Sequence, residues 1–163
     1  MVSISAFRGL FQKGWVPASR YQVMYYGSLL HPEQITLPSR SIQTYTDSLY
    51  GPIRAWPMRE LYNDNIVLTF AEAIGNEMRS MWENDSLLMS DGGVASAGQF
   101  IDTRSSNLQI HVLDQNDNTF AIYRVYGAYP ISIIPTNMGW AMMNETQKVQ
   151  VMIKYYKYDY EVI

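Results

Sequence analysis

The sequence predicts a mainly β protein with one α-helix and one long extended loop, and three patterns carry that prediction. The first is a pair of alternating segments about a polar turn. Leu108, Ile110 and Val112 alternate with Gln109 and His111, and Phe120 to Tyr126 returns after the turn 114–118. The second is the C-terminal run, where Val149, Val151, Ile153 and Tyr155 alternate with Lys148, Gln150, Met152 and Lys154. The third is a single stripe at helical spacing: Ile74, Met78, Met81 and Trp82 stand at i, i+4, i+7 and i+8.

The remaining elements follow in order. An N-terminal arm, 1–18, carries Phe7, Phe11 and Trp15; Phe7, Leu10 and Phe11 have helical spacing, stopped by Gly14 and Pro17. Three aromatics near a terminus need cover, so the arm is expected to dock, on its own domain or on a neighbour. Residues 20–26 read as a strand, with Tyr21, Val23 and Tyr25 on one face and a turn at Gly27 and Ser28. Two short strands, 33–37 and 40–46, flank Pro38; in the second, Ile42, Thr44 and Thr46 alternate with Gln43 and Tyr45.

Residues 47–62 hold Gly51, Pro52 and Pro57, which argue against a continuous central strand. Yet Leu49, Tyr50, Ile53, Trp56 and Met58 are too apolar for a free loop. A long apolar loop marks a contact site, and Arg54 and Arg59 belong to the same segment. Residues 64–71 form the clearest buried strand. The helix follows, with Asn76 as N-cap and Glu77 in its first turn. Its stripe reads as core or interface. Periodicity fades over 85–107, which reads as a surface loop rich in Ser, Gly and Ala. Residues 129–134 form a strand ended by Pro135. The C-terminal strand is expected to run unbroken from Gln147 to about Tyr158, some ~35 Å, a length that suits sharing with another subunit.

Composition narrows the function. Charged residues are 17% of the chain, below the roughly 25% of a typical soluble domain, while aromatics reach 13%. Tyr, Trp and Met are enriched where proteins meet, so much of the surface is expected to be covered by other chains. The net charge of −3 comes without a basic stripe for phosphates; the nearest feature, Arg54 with Arg59, is interrupted by Trp56 and Pro57. Tight nucleic-acid binding is therefore not expected, although loose passage is compatible with the sequence. No cysteine is present, so neither disulfides nor thiolate metal sites are expected. Residues 1–16 lack the pattern of a signal peptide and no apolar run reaches membrane-spanning length. A soluble protein made in a cytoplasm, without a membrane anchor, is the expectation.

No chemical signature stands out. His31 and His111 have no metal-ligand spacing to a second histidine or carboxylate. Asp114, Asn116 and Asn118 start like a calcium loop, but Thr119 replaces the needed glycine and Val125 the bidentate glutamate. No nucleophile elbow and no phosphate-binding loop occur. The chain is expected to have no catalytic residue, no metal and no cofactor.

The order of pieces resembles the tail tube proteins of T-even-type contractile phages, from about Tyr21 to Ile163. The match runs through Tyr21 to Val23, Thr36 to Pro38, the segment 47–62, the strand Ile66 to Phe70 and the helix at Met78 to Trp82. Its sharpest part is Tyr129 to Gly139, with Pro135, Thr136 and Asn137, before the long strand and the acidic, aromatic end Tyr158 to Glu161. Residues 90–107 align poorly. The resemblance implies one domain, 1–163, of two packed antiparallel sheets, a β-sandwich or small barrel. It implies hexameric rings whose sheets join into a barrel around a lumen, stacked as a tube inside a contractile sheath. The tube proteins of type VI secretion are similar in architecture. The implied partners are sister copies, the sheath, baseplate and tail-terminator proteins, and a tape-measure protein followed by genomic DNA in the lumen. The implied location is the virion tail, assembled in a bacterial host. The segment 47–62 (Leu49, Tyr50, Ile53, Arg54, Trp56, Met58, Arg59) then becomes the candidate ring-to-ring contact, and the arm with Phe7, Phe11 and Trp15 a second. A tube-initiating or baseplate tube-like protein is the alternative; a lone β-sandwich binding module is a further one.

Overall fold

A computed structural model describes residues 19–47, 51–62, 65–72, 77–90, 106–134 and 146–163. The arm with Phe7, Phe11 and Trp15, the residues Leu49, Tyr50, Ile74 and Asn76, and the segment around Pro135 to Gly139 lie outside them.

Two antiparallel sheets face each other. The first holds β1 (Tyr21–Tyr25), β2 (Ser28–Leu30), β7 (Ser106–Leu113), β8 (Thr119–Tyr126) and β11 (Lys157–Val162), in the order β11-β8-β7-β1-β2. The second holds β3 (Gln34–Ile35), β6 (Ile66–Ala71), β9 (Tyr129–Ile134) and β10 (Lys148–Lys154), in the order β3-β6-β10-β9. A two-stranded hairpin, β4 (Ser41–Asp47) with β5 (Arg54–Leu61), stands apart from both. The helix α1 spans Glu77–Ser90. Among the described residues the sheets form a sandwich and no closed barrel.

Period-two alternation builds the core between them. Val23, Tyr25, Leu108 and Val125 point inward from the first sheet; Ile66, Leu68, Phe70, Val149, Val151 and Ile153 point inward from the second. Each such side chain contributes roughly 1.5–3 kcal/mol of burial. The helix closes one side of the sandwich. Its Trp82 is completely buried against Tyr25 and Phe70, with Met78 and Met81 beside it. The stripe read from the sequence is therefore core at the positions described. The helix also continues to Ser90, past residue 85, where a loop was expected. Asp85 explains part of that continuation: its carboxylate accepts a hydrogen bond from the Tyr25 hydroxyl and ties the later turns to β1.

The chain passes between the sheets from β2 to β3 and again at two later corners. After β8, Gly127 takes φ 61° and the backbone crosses to β9. Asn107, set in the irregular register between Ser106 and Leu108, staples that corner; its side chain donates to Ala128 O at 2.5 Å and accepts from Ala128 N at 2.8 Å. The second corner corrects the expectation of one long C-terminal strand. β10 pairs with β6 and β9 in one sheet, whereas β11 pairs with β8 in the other. At the bend Tyr155 is buried, and Tyr156 N donates to Tyr126 O at 3.0 Å. The extended run folds because its two halves pair with strands of different sheets within the chain.

The turns follow local chemistry. Tyr26 and Gly27, with φ 46° and 80°, form the two-residue turn of the β1–β2 hairpin. Asp114 Oδ1 accepts from the N–H of Asn116 (2.7 Å) and Asn118 (2.9 Å) and shapes the β7–β8 turn. Those bonds hold the Asp114 carboxyl below its ordinary pKa, that from Asn118 most. Arg20 secures the same turn through Asp117 at 2.6 Å.

Candidate assembly interface

The hairpin β4–β5 is the one part of the described chain built without a core. Every residue from Ser41 to Thr46 and from Arg54 to Glu60 is exposed. Isolated two-stranded hairpins are marginal in water, so this arm calls for a partner surface. It also corrects the reading of 47–62 as a loop: β4 reaches Asp47, and β5 begins at Arg54. Pro57 is tolerated because the ladder breaks there. Gln43 pairs with Arg59 and Thr44 with Pro57, leaving Met58 as the extra, bulged residue.

The register sorts the side chains. Gln43, Tyr45 and Asp47 stand opposite Arg59, Trp56 and Arg54, so these six share one face. Arg59 Nε donates to Gln43 Oε1 at 2.9 Å. Ile42, Thr44 and Thr46 alternate onto the other face. Trp56 is 54% exposed, Met58 62% and Ile53 75%. Thus five residues singled out in sequence (Ile53, Arg54, Trp56, Met58 and Arg59) occupy one exposed arm. Ile42 and Tyr45, equally exposed, join them although the sequence reading gave them no contact role. Their signal was the alternating segment 40–46 directly before the apolar one.

The arm's root, by contrast, is fixed to the body. The Tyr155 hydroxyl donates to Ser39 O at 2.8 Å and accepts from Ser39 N at 3.2 Å. Tyr62, just after β5, packs edge-on against Tyr155 and Tyr158. Arg40 lies 3.5 Å from Glu60, and Tyr62 donates to Glu60 at 2.7 Å. That hydrogen bond is the main reason the Tyr62 phenol is held above its ordinary pKa.

Beside the root lies a cleft of about 560 Å³ that the sequence did not reveal. Pro38 and Arg40, from the hairpin root, line it together with Tyr123, Tyr158, Asp159 and Tyr160. Tyr160 stands directly across from Tyr123 in the ladder, ring centroids 4.8 Å apart, and Tyr158 is 6.1 Å from Tyr123. Burial, with its phenol neighbours, raises the Tyr123 pKa. The available signal was the period-two repeat of Tyr158 and Tyr160. Beyond it, Val162 on the edge strand β11 and Ile163 just after it are exposed apolar residues.

The outer face of the same sheet is polar and internally matched. Arg124 bonds Glu161, Lys157 sits 4.6 Å over the Tyr126 ring, and the Tyr126 hydroxyl bonds Asp159. Burial, and to a lesser degree Arg124, lower the His111 pKa. Among the described residues no cluster of three or more His, Asp or Glu side chains fits a metal ion, and no helix is long and apolar enough to cross a membrane.

No family model and no curated protein sequence matches the chain. Solved structures match its fold. The tube-terminating cap of the anti-feeding prophage superposes with a TM-score of 0.71 at 14% identity, over 91% of this chain and 92% of that one. A component of the sheath-tube complex of the extracellular contractile injection system PVC gives 0.67 at 14%, over the whole of both chains. A component of the six-fold symmetrised anti-feeding prophage baseplate gives 0.69 at 10%, over 91% and 96%. The chain has the fold seen in these parts of contractile injection systems.

Proposed function

We propose that this chain is a structural subunit of a contractile phage tail tube, forming hexameric rings that stack as a conduit inside a sheath. One observation carries the proposal: a firmly rooted hairpin exposes Ile42, Tyr45, Ile53, Trp56 and Met58, which none of the described residues of its own body cover. Sister copies supply that cover, and the hairpin makes the ring-to-ring contact. The shared fold with tube-cap, sheath-tube and six-fold baseplate components supports the reading. The tube's other partners in the proposal are sheath, baseplate and terminator proteins outside, and a tape-measure protein and then DNA inside. A face whose charges are already matched suits a lumen past which a polyanion slides, because each phosphate neutralised would add affinity and drag. The chain acts as an architectural element of the virion tail and catalyses no reaction.

Negative-stain microscopy of the purified protein tests this. Rings and tubes are expected, and Tyr45→Ala/Trp56→Ala is expected to leave folded protein that no longer elongates. Unaltered tubes from the double variant overturn the hairpin's role. Rings that never stack reassign the chain to an initiating or baseplate position. A stable monomer at every concentration removes the tube reading altogether.

A further inference from the structure

We propose that the tyrosine-walled cleft at the hairpin root is the socket for the hairpin of a second copy, receiving Trp56 flanked by Arg54 and Arg59. The inference rests on the tube reading and names the two surfaces that meet.

Complementary chemistry selects the occupant. The cleft offers the electron-rich rings of Tyr123, Tyr158 and Tyr160 together with the carboxylate of Asp159, with Pro38 also lining it. Guanidinium groups stack on such rings, and an indole packs against them edge to face. The hairpin presents one indole and two guanidinium groups on a single face. Arg40, the cation already at the cleft, is matched by Glu60, which limits its repulsion of an incoming arginine.

Geometry makes the contact intermolecular. The cleft includes Arg40, next to the first residue of β4, whereas Arg54 pairs with Asp47 at that strand's far end. Six residues of extended chain place the tip about 20 Å from the root. A hairpin that starts at a cleft and projects away from it does not fill that cleft. Another copy's hairpin does, and its own root then offers the next socket. Such a head-to-tail contact is heterologous and propagates, either closing into a ring or extending as a filament.

The chain has no cysteine, so engineered thiols report cleanly. Ala55, beside Arg54, and Val162, two residues beyond Tyr160, are exposed and outside the proposed contact. Ala55→Cys/Val162→Cys, treated with a short thiol-reactive cross-linker under assembling conditions, is expected to give a ladder of covalent oligomers. A mixture of the two single variants is expected to stop at dimers joined between positions 55 and 162. Assemblies visible by microscopy that cross-link 55 to 55, or not at all, overturn the socket while leaving the tube reading intact. Absence of any assembly from the unmodified protein overturns both. Circular dichroism of the variants confirms that each remains folded.

Discussion

Tyr25 shows how one side chain ties function-neutral chemistry to stability. Its ring is core, packed on Trp82, while its hydroxyl donates to Asp85 on the helix. Burial, reinforced by that carboxylate, raises the phenol's pKa well above its ordinary value. The folded state therefore holds the Tyr25 proton more tightly than the unfolded chain does. Above the unfolded pKa of about 10 the native state binds more protons than the unfolded one, so stability falls as pH rises. The contribution is fully present below pH 10 and is lost progressively above it. Tyr21, Tyr62, Tyr123 and Tyr126 shift in the same direction and add to the same alkaline loss. Urea titrations at pH 8 and at pH 11 are expected to show a marked drop, smaller in Tyr25→Phe. At pH 8 that variant is expected to lose about 1–3 kcal/mol, because it leaves the Asp85 carboxylate without its donor. Equal losses at both pH values in the two proteins contradict the assignment. The sequence placed Tyr25 on one face of its strand with Tyr21 and Val23. The Asp85 partner was hidden because 85 fell in a stretch read as loop, where Asn84, Asp85 and Ser86 are weak helix formers and the tertiary hydrogen bond adds what local propensity lacks.

Among elements, the hairpins show what local pattern specifies. The β7–β8 hairpin was legible because alternation and turn chemistry agree there; of the β1–β2 hairpin only the first strand and the glycine were read, and Ser28, assigned to the turn, opens β2 instead. Gly27 holds the β1–β2 hairpin together: its φ of 80° is costly for residues with a Cβ, and no atom lies within 4 Å of where that Cβ would be. The cost of Gly27→Ala is thus purely conformational, roughly 1–2 kcal/mol, and Gly27→Asn should recover most of it. Thermal unfolding of both variants checks this; equal destabilisation by alanine and asparagine contradicts the turn assignment. The β4–β5 hairpin was only half legible. The sequence identified its apolar residues, but its prolines pointed to a loop. Pro52 lies in the connection, and Pro57 sits where the ladder is already broken by the Met58 bulge, so neither interrupts the pairing. The corner at 155–156 was missed for a related reason. Alternation alone looks continuous, yet its parity shifts: Val149, Val151, Ile153 and Tyr155 face inward before the bend, Tyr158 and Tyr160 after it. One extra residue marks the point where the strand leaves one sheet for the other.

At the scale of the whole molecule, burial divides the described residues into a body with a core and an arm without one. No residue of β4 or β5 belongs to the buried core; the core is drawn from β1, β2, β6, β7, β8, β10, the helix and the two corners. The root is different, since Ser39 is clamped by Tyr155 and Tyr62 packs on Tyr155 and Tyr158. Removing the arm while keeping the root therefore separates folding from assembly. Replacing residues 43–59 with Asn-Gly keeps Ser41 and Ile42 on one side and Glu60 to Tyr62 on the other, joined by a two-residue turn suited to an antiparallel pair. This variant is expected to unfold in urea with a midpoint within about 0.5 kcal/mol equivalent of the parent, since exposed residues rarely contribute more. Sedimentation is expected to find it monomeric or in isolated rings, never in tubes. The converse variant, Trp82→Ala, empties the core and is expected to cost about 3–5 kcal/mol. Its assembly defect should then track its loss of fold, whereas the arm deletion should show an assembly defect with none. An arm deletion that unfolds the body, or one that still builds tubes, contradicts this division of labour.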